Sequence, residues 1–290
     1  MAGFRSVRNL IESEVDSGQA HYSTWRKSPT QATGSGVWFD LALSPGNPAP
    51  FYYASAPLVA VPMSRSSNGG LNHGPSVSPS QKVLRKVMAL TTTATALPMN
   101  MKVLDYLLYY PFIDESLDGE EQLLDNTATL PRYADGKGVQ IMAVVVAGHA
   151  TGLTQSFVCS YTNQDGVAGR VTTPVKLNAQ FVNGTIITTA LNVAGCAGPF
   201  LPLQSGDTGV RSIESLTMTG SDVGLMTLVL VKPLAQMSLR GNDGPVEVDY
   251  LKDFSHLPVI QDDAYLNFIC CPVGTLAATA LHGEIQTAWS

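Results

Sequence analysis

The chain has 290 residues, of which 44% are apolar and 14% charged, with 17 Lys and Arg against 23 Asp and Glu. A formal net charge of -6 without clustered Lys and Arg argues against direct nucleic-acid binding, and no apolar run approaches the roughly 18 residues that span a bilayer, the longest being Ile141–Ala147. A chain this long buries roughly three quarters of its unfolded surface, so it needs no disulfide or metal for stability.

At the N-terminus, Phe4, Val7, Leu10, Ile11 and Val15 recur at helical spacing and Gly18 offers a stop, which predicts one amphipathic helix. The opening Met-Ala-Gly-Phe-Arg-Ser lacks the basic-then-apolar order of a secretory signal, so synthesis in the cytoplasm is expected. Residues 28–80 are rich in Pro and Ser, with eight prolines between Pro29 and Pro79, and hold two short extended pieces, Gly36–Leu43 and Phe51–Val61. Such a segment either drapes as an arm over its own or another subunit's protein, or is an ordinary long loop of one domain. Within residues 81–136, Val83–Ala96 predicts a strand and Met99–Tyr109 a helix stopped by Pro111, followed by an acidic loop. The basic cluster Lys82-Val83-Leu84-Arg85-Lys86 alternates, as one solvated face of a strand or helix would.

From residue 137 to 290 the pattern is short strands rich in Val, Ile, Thr and aromatics, separated by turn residues. Val139–Ala147, Leu153–Tyr161 and Val167–Leu177 come first, with Asn163-Gln164-Asp165-Gly166 as a turn. Asn183-Gly184 predicts a tight hairpin between Val171–Val182 and Thr185–Val193, with both turn residues at positive φ. Val210–Thr219 and Val223–Val231 are expected to pair around Gly220-Ser221-Asp222, and Ala264–Cys270 and Leu276–Ile285 complete the set. The fold class predicted is mainly β: an antiparallel, jelly-roll-like β-sandwich body (137–290), a connecting region (81–136), and an N-terminal amphipathic helix with an extended Pro/Ser-rich arm (1–80).

Several patterns resemble chemistry, and each has a simpler reading. Asp114, Ser116, Asp118, Gly119 and Asp125 match places of a calcium loop, but Glu121 stands where an apolar residue is usual and Asp125 is shorter than the usual Glu. A solvated acidic loop is the favoured reading of residues 114–125, and calcium stays open. Asp207-Thr208-Gly209 resembles the catalytic tripeptide of aspartic proteases, yet its neighbours are turn formers. Asn183-Gly184-Thr185 fits a glycosylation sequon that hairpin chemistry already explains. Cys159, Cys196, Cys270 and Cys271 have no Cys-x-x-Cys spacing and are expected to be free buried thiols. His21, His73, His149, His256 and His282 are scattered, and none stands beside a nucleophile in sequence. No catalytic, cofactor-binding or metal-binding residues are assigned, no cofactor is implied, and no enzyme activity is expected.

Charged residues at 14% compare with about 25% in an average soluble domain. A surface so poor in charge invites association, which points to extensive protein contact; a solvent-facing, simply polar sandwich is the alternative reading.

Three blocks carry a family resemblance. Leu130-Pro131-Arg132-Tyr133-Ala134-Asp135-Gly136-Lys137-Gly138 is the first, and Gly198-Pro199-Phe200-Leu201-Pro202-Leu203 with Ser205-Gly206-Asp207-Thr208-Gly209-Val210-Arg211-Ser212 the second. The opening Gly3-Phe4-Arg5-Ser6-Val7, with Thr24-Trp25-Arg26-Lys27 and Trp38-Phe39-Asp40, is the third. Together they resemble tailed-bacteriophage virion structural proteins of the capsid decoration or cement type. The resemblance implies a place on the capsid surface, the major capsid protein as partner, and self-association as a homotrimer or other homo-oligomer. It also implies that removing residues 1–80 leaves a folded body unable to bind capsids. Two other readings compete: a tail or minor virion structural protein, and a carbohydrate-binding β-sandwich contacting the host through Trp25, Trp38, Tyr52, Tyr53, Tyr109 and Tyr110.

Overall fold

The computed structural model describes residues 3–148, 155–177, 182–187, 195–254 and 256–290. Parts of the expected strands 153–161, 171–182 and 185–193, and His149, lie outside the described residues. The chain is mainly β, as its sequence predicts, in three antiparallel sheets with a short N-terminal helix.

One sheet has the order β14 (Val246–Asp249), β5 (Lys82–Thr91), β17 (Leu281–Trp289), β1 (Ala20–Lys27) and β3 (Gly46–Asn47), with β15 (Val259–Ile260) also on β5. A second runs β10 (Arg170–Val171), β9 (Ser156–Asn163), β12 (Val210–Thr219) and β7 (Glu121–Leu123), with β11 (Val175–Lys176) also on β9. The third runs β2 (Phe39–Asp40), β16 (Leu266–Pro272), β6 (Met99–Asp114), β13 (Leu225–Leu239) and β8 (Gln140–Ala147), with β4 (Val61–Pro62) also on β6.

The third sheet is the middle layer. Met101 and Val103 of β6 and Phe268 of β16 pack with Trp25, Leu84 and Ile285 of the first sheet, and the Trp25 and Phe268 rings lie 4.3 Å apart. Further along the same strands, Leu108, Tyr110, Leu228 and Leu230 pack with Phe157, Cys159, Tyr161 and Leu216 of the second sheet. The alternation in β9, where Phe157, Cys159 and Tyr161 point to the core, is that of a strand covered on one side. Leu104, Tyr106, Val229, Val231, Met142 and Val144 face the other way and form a third cluster with Tyr53 and Met63.

Residues 184–187 close this middle sheet on itself. Asp40 N donates to Gly184 O (2.7 Å) and Ile186 N to Trp38 O (2.9 Å), while Gly184 N donates to Val145 O and Val145 N to Thr185 O (2.9 Å each). The segment therefore joins β2 to β8, the two strands at the ends of the order, and turns the sheet into a ring. Because the other two sheets cover its outside, the Leu104, Tyr106 and Val229 cluster fills its inside.

Four expectations change. Met99–Tyr109 is not a helix but part of a 16-residue strand. An apolar run buried on both faces has no period to distinguish the two states, and pairing with β13 over its whole length decides it. Pro111 interrupts nothing because it lies at a bulge, between the pairs Tyr110–Leu228 and Ile113–Met226, with Phe112 at φ +57°. Val210–Thr219 forms as predicted but pairs with β9 and β7, whereas β13 pairs with β6 and β8. Residues 220–224 carry the chain between sheets instead of closing a hairpin. At Asn183-Gly184 only Gly184 has positive φ, +96°, and the turn is closed by Thr185 N donating to Val182 O.

The Pro-rich segment lies on its own body. Leu58 N donates to Pro111 O, Met63 N to Leu107 O and Leu71 N to Leu266 O, and Phe39, Leu41, Tyr53, Met63 and Leu71 are buried. Its irregular backbone is hydrogen-bonded strand by strand to the middle layer. Removing residues 1–80 would strip the core of these side chains and of β1, a loss of buried packing that argues against a folded remainder.

Candidate functional site

The polar residues singled out in sequence are engaged in fastening turns and loops to one another and to the strands beside them. Asp207 accepts from Asn163 Nδ2 (2.7 Å), Arg170 Nε (2.9 Å) and the Tyr161 hydroxyl. The Arg170 bond is the main reason its carboxyl is held down at about 2. An aspartic protease needs a carboxylate sharing a proton with a second one, and Asp207 is instead an ionised clasp between residues 204–209 and β9. Gln204 N donates to the same Tyr161 hydroxyl (2.9 Å).

The acidic loop is a turn leading into β7. Asp114 Oδ1 accepts from Ser116 N (2.8 Å), Asp118 Oδ1 from Gly220 N (2.7 Å) and Asp125 Oδ1 from Thr127 N (2.9 Å). Gln122 replaces a ladder partner by bonding both the N–H and the carbonyl of Asp114. Among the described residues no three His, Cys, Asp or Glu side chains gather as a metal site. Beside this loop Glu115 is fully buried, and burial, with Asp222 and Asp114 nearby, pushes its carboxyl up to about 8.

Lys82 was expected on a solvated face and is buried. Its Nζ donates to His73 Nδ1 (3.2 Å) and to the Pro75 carbonyl (2.5 Å), and pairs with Asp262 Oδ1 at 3.2 Å. His73 Nε2 faces the Ala264 carbonyl at 3.0 Å, and burial next to Lys82 lowers His73 to about 4, so the ring is neutral. Five of the six candidate sugar-stacking aromatics are engaged in the body: Trp25, Tyr53, Tyr109 and Tyr110 are buried, and Trp38 lies under Lys102 Nζ. Tyr52 is the exposed one of the six. The four cysteines are free, with Cys196 less buried than the other three.

Two polar centres were not foreseen. Asp40, fully buried, accepts from Ala42 N (2.9 Å) and from the hydroxyls of Tyr106 (2.7 Å) and Tyr53; burial raises its pKa against the pull of these bonds. Asp105, equally buried, is clamped by Arg132 and by the N–H of Tyr265 (3.0 Å). Burial outweighs Arg132 and holds Asp105 up at about 6. The sequence signal was available: each Asp is a lone charge inside an apolar run, Val37–Leu43 and Val103–Phe112, and a charge so placed requires a partner.

Two of the three blocks that carry the family resemblance, residues 130–138 and 198–212, meet in space. Lys137 bridges Gly209, Gly138 N donates to Thr208 O (2.9 Å), and Gln164 Oε1 accepts from the N–H groups of Thr208 and Gly209. A Cβ on Gly209 would fall on the Gly136 carbonyl, so the glycines are required by backbone approach.

No family model and no curated protein matches the chain. Among solved structures it is similar to the infectious bursal disease virus VP2 subviral particle, at 9% identity and a TM-score of 0.21, covering 99% of this chain and 83% of that one. It is also similar to the structure of the Gt strain of infectious bursal disease virus, at 10% identity and a TM-score of 0.18, covering 93% and 80%. Similarity at this level does not define a common fold, and the functional reading rests on the residues.

Proposed function

We propose that the chain is a structural protein of a virus particle, one that binds the outer surface of a bacteriophage capsid lattice and stabilises it as a decoration or cement protein. The observation that carries this reading is that residues of the blocks resembling tailed-phage structural proteins serve as joints of the fold: Trp25 packs on Phe268, Asp40 holds Tyr53 and Tyr106, Arg132 clamps Asp105, Asp207 clasps β9, and Gly209 lies against the Gly136 carbonyl. The 14% charge content leaves a surface suited to broad protein contact. A protein that binds the assembled lattice and not its separated subunits shifts the equilibrium toward the lattice by mass action. Its partners are the major capsid protein and further copies of itself.

Purified chain added to capsid shells assembled without it tests the reading by co-sedimentation and by the temperature at which the shells come apart. Saturable binding with a raised disassembly temperature is expected. Absence of binding, together with absence of the chain from the head in a cryo-EM map of the intact particle, overturns it. Density for the chain in the tail would assign it to the tail instead.

A further inference from the structure

We infer that the N-terminal helix is a self-association surface that pairs, antiparallel, with the same helix of a second copy. The helical segment runs from α1 (Val7–Ile11) through a wider turn, Glu12–Asp16. Sequence spacing suggests that its apolar residues turn inward, but the molecule holds the helix differently. Leu10 packs on Val83 and Ala288. Glu14 is drawn inward by Arg85 Nε at 3.3 Å and by Gln286 Nε2, and Ser13 is buried. With those anchors inside, Val7, Ile11 and Val15 are left 55%, 50% and 70% exposed. Spaced by four, they form one outward stripe about 12 Å long at 1.5 Å per residue. β-Branched residues are poor choices for a solvated helix face, which marks the stripe as a contact surface.

Charge placement identifies the occupant. Arg5 and Arg8 flank the stripe at its N-terminal end, Glu12 and Asp16 at its C-terminal end, and all four are exposed. Arg8 reaches Glu12 within the helix at 2.8 Å and still remains open to solvent. A second copy rotated about a two-fold axis at Ile11 sets Val7 against Val15 and lays the basic end of each helix on the acidic end of the other. A contact that is its own complement under two-fold rotation is isologous and makes dimers; in parallel order the like charges would face one another. Tyr22, exposed and bonded through its hydroxyl to Gln286 at 2.9 Å, flanks the same anchor.

Two helices of this length cover less than the roughly 1,200 Å² of a standard stable interface, so the pairing is weak. It suits a protein whose copies are brought together on a lattice, and in that respect the inference rests on the proposed function. Sedimentation equilibrium of the full chain tests it. The weight-average mass should rise from 30.8 kDa toward twice that value between roughly 10 µM and 1 mM. Ile11→Asp, at the axis, should weaken association at least about tenfold without lowering the thermal midpoint, because the site is exposed. The pair Arg5→Glu with Arg8→Glu, and separately the pair Glu12→Arg with Asp16→Arg, should each be monomeric alone and associate when mixed one to one.

An unmodified chain that stays monomeric to 1 mM overturns the inference, as does association unchanged by Ile11→Asp or a mixture of the two charge variants that stays apart. If the unmodified chain is monomeric and Ile11→Asp abolishes binding to capsid shells, the stripe belongs to the lattice and not to a second copy. Pairing by a chain that binds no capsid would leave this inference standing and remove the functional reading.

Discussion

Arg132 and Asp105 form a two-pronged ion pair inside the protein, Nη2 to Oδ1 at 2.7 Å and Nε to Oδ2 at 3.0 Å. Two of the three remaining guanidinium hydrogens bond the carbonyls of Met63 (3.0 Å) and Tyr106 (2.8 Å). One side chain thereby fastens the Pro-rich segment to the longest strand of the middle sheet. Arg132→Met leaves the buried Asp105 carboxylate without its counter-ion, holding only the Tyr265 N–H, removes a donor from each of two carbonyls, and should lower unfolding stability by about 3–5 kcal/mol, measured by urea denaturation. Asp105→Leu added to it should restore a large part of the loss, because the unpaired charge is then gone.

Gly209 and Gly136 set a second test. Gly209→Ala drives a methyl into the Gly136 carbonyl, whereas Gly119→Ala meets no atom within 4 Å and bears only the strain of φ +70°. Gly119→Ala should cost about 1 kcal/mol, and Gly209→Ala distinctly more. Equal shifts in melting temperature for the two would contradict the close approach of the two blocks.

Glu115 gives the fold a pH dependence. Its folded value of about 8 lies above the ordinary 4.5, driven first by burial and then by Asp222 and Asp114. The native state therefore binds the proton more tightly than the unfolded chain. The resulting stabilisation is complete below about pH 4.5 and is lost as pH rises to about 8, with a slope of at most ~1.4 kcal/mol per pH unit. Asp105, raised to about 6, adds a slope of the same sign at lower pH. Glu115→Gln, which keeps the neutral shape, should flatten the profile between pH 6 and 8 as judged by chemical denaturation across that range. A variant with the same slope as the unmodified chain would show that Glu115 is not the group responsible.

Truncation separates the helix from the body. Loss of residues 1–18 removes the contacts of Phe4 and Leu10 and the Glu14 bonds and should leave a folded protein with a modestly lower melting temperature. Loss of residues 1–80 removes β1, β2, Tyr53, Met63 and Leu71 and should abolish the cooperative transition in near-ultraviolet circular dichroism.

The sequence by itself determined the class of the fold and many of its strands. Val210–Thr219 was legible to the residue and Val139–Ala147 nearly so, since turn residues bound β-rich runs there and these signals are local. It also marked Ser205 to Gly209 as turn residues, and the turn itself falls on Ser205-Gly206, closed by Asp207 N donating to Gln204 O, with Gly209 in a bridge to Lys137. What only the tertiary structure decided is which strand lies beside which, and therefore which face of each element is inside. Met99–Asp114 became a strand because β13 and β16 border it. β12 and β13, adjacent in the chain, went to different sheets, and the N-terminal helix turned its apolar stripe outward because Arg85 and Gln286, 71 and 272 residues further along the chain, hold Glu14 within. Hydrophobic periodicity reports that a face is to be covered; the covering partner is fixed by contacts between residues far apart in the chain, which no local window contains.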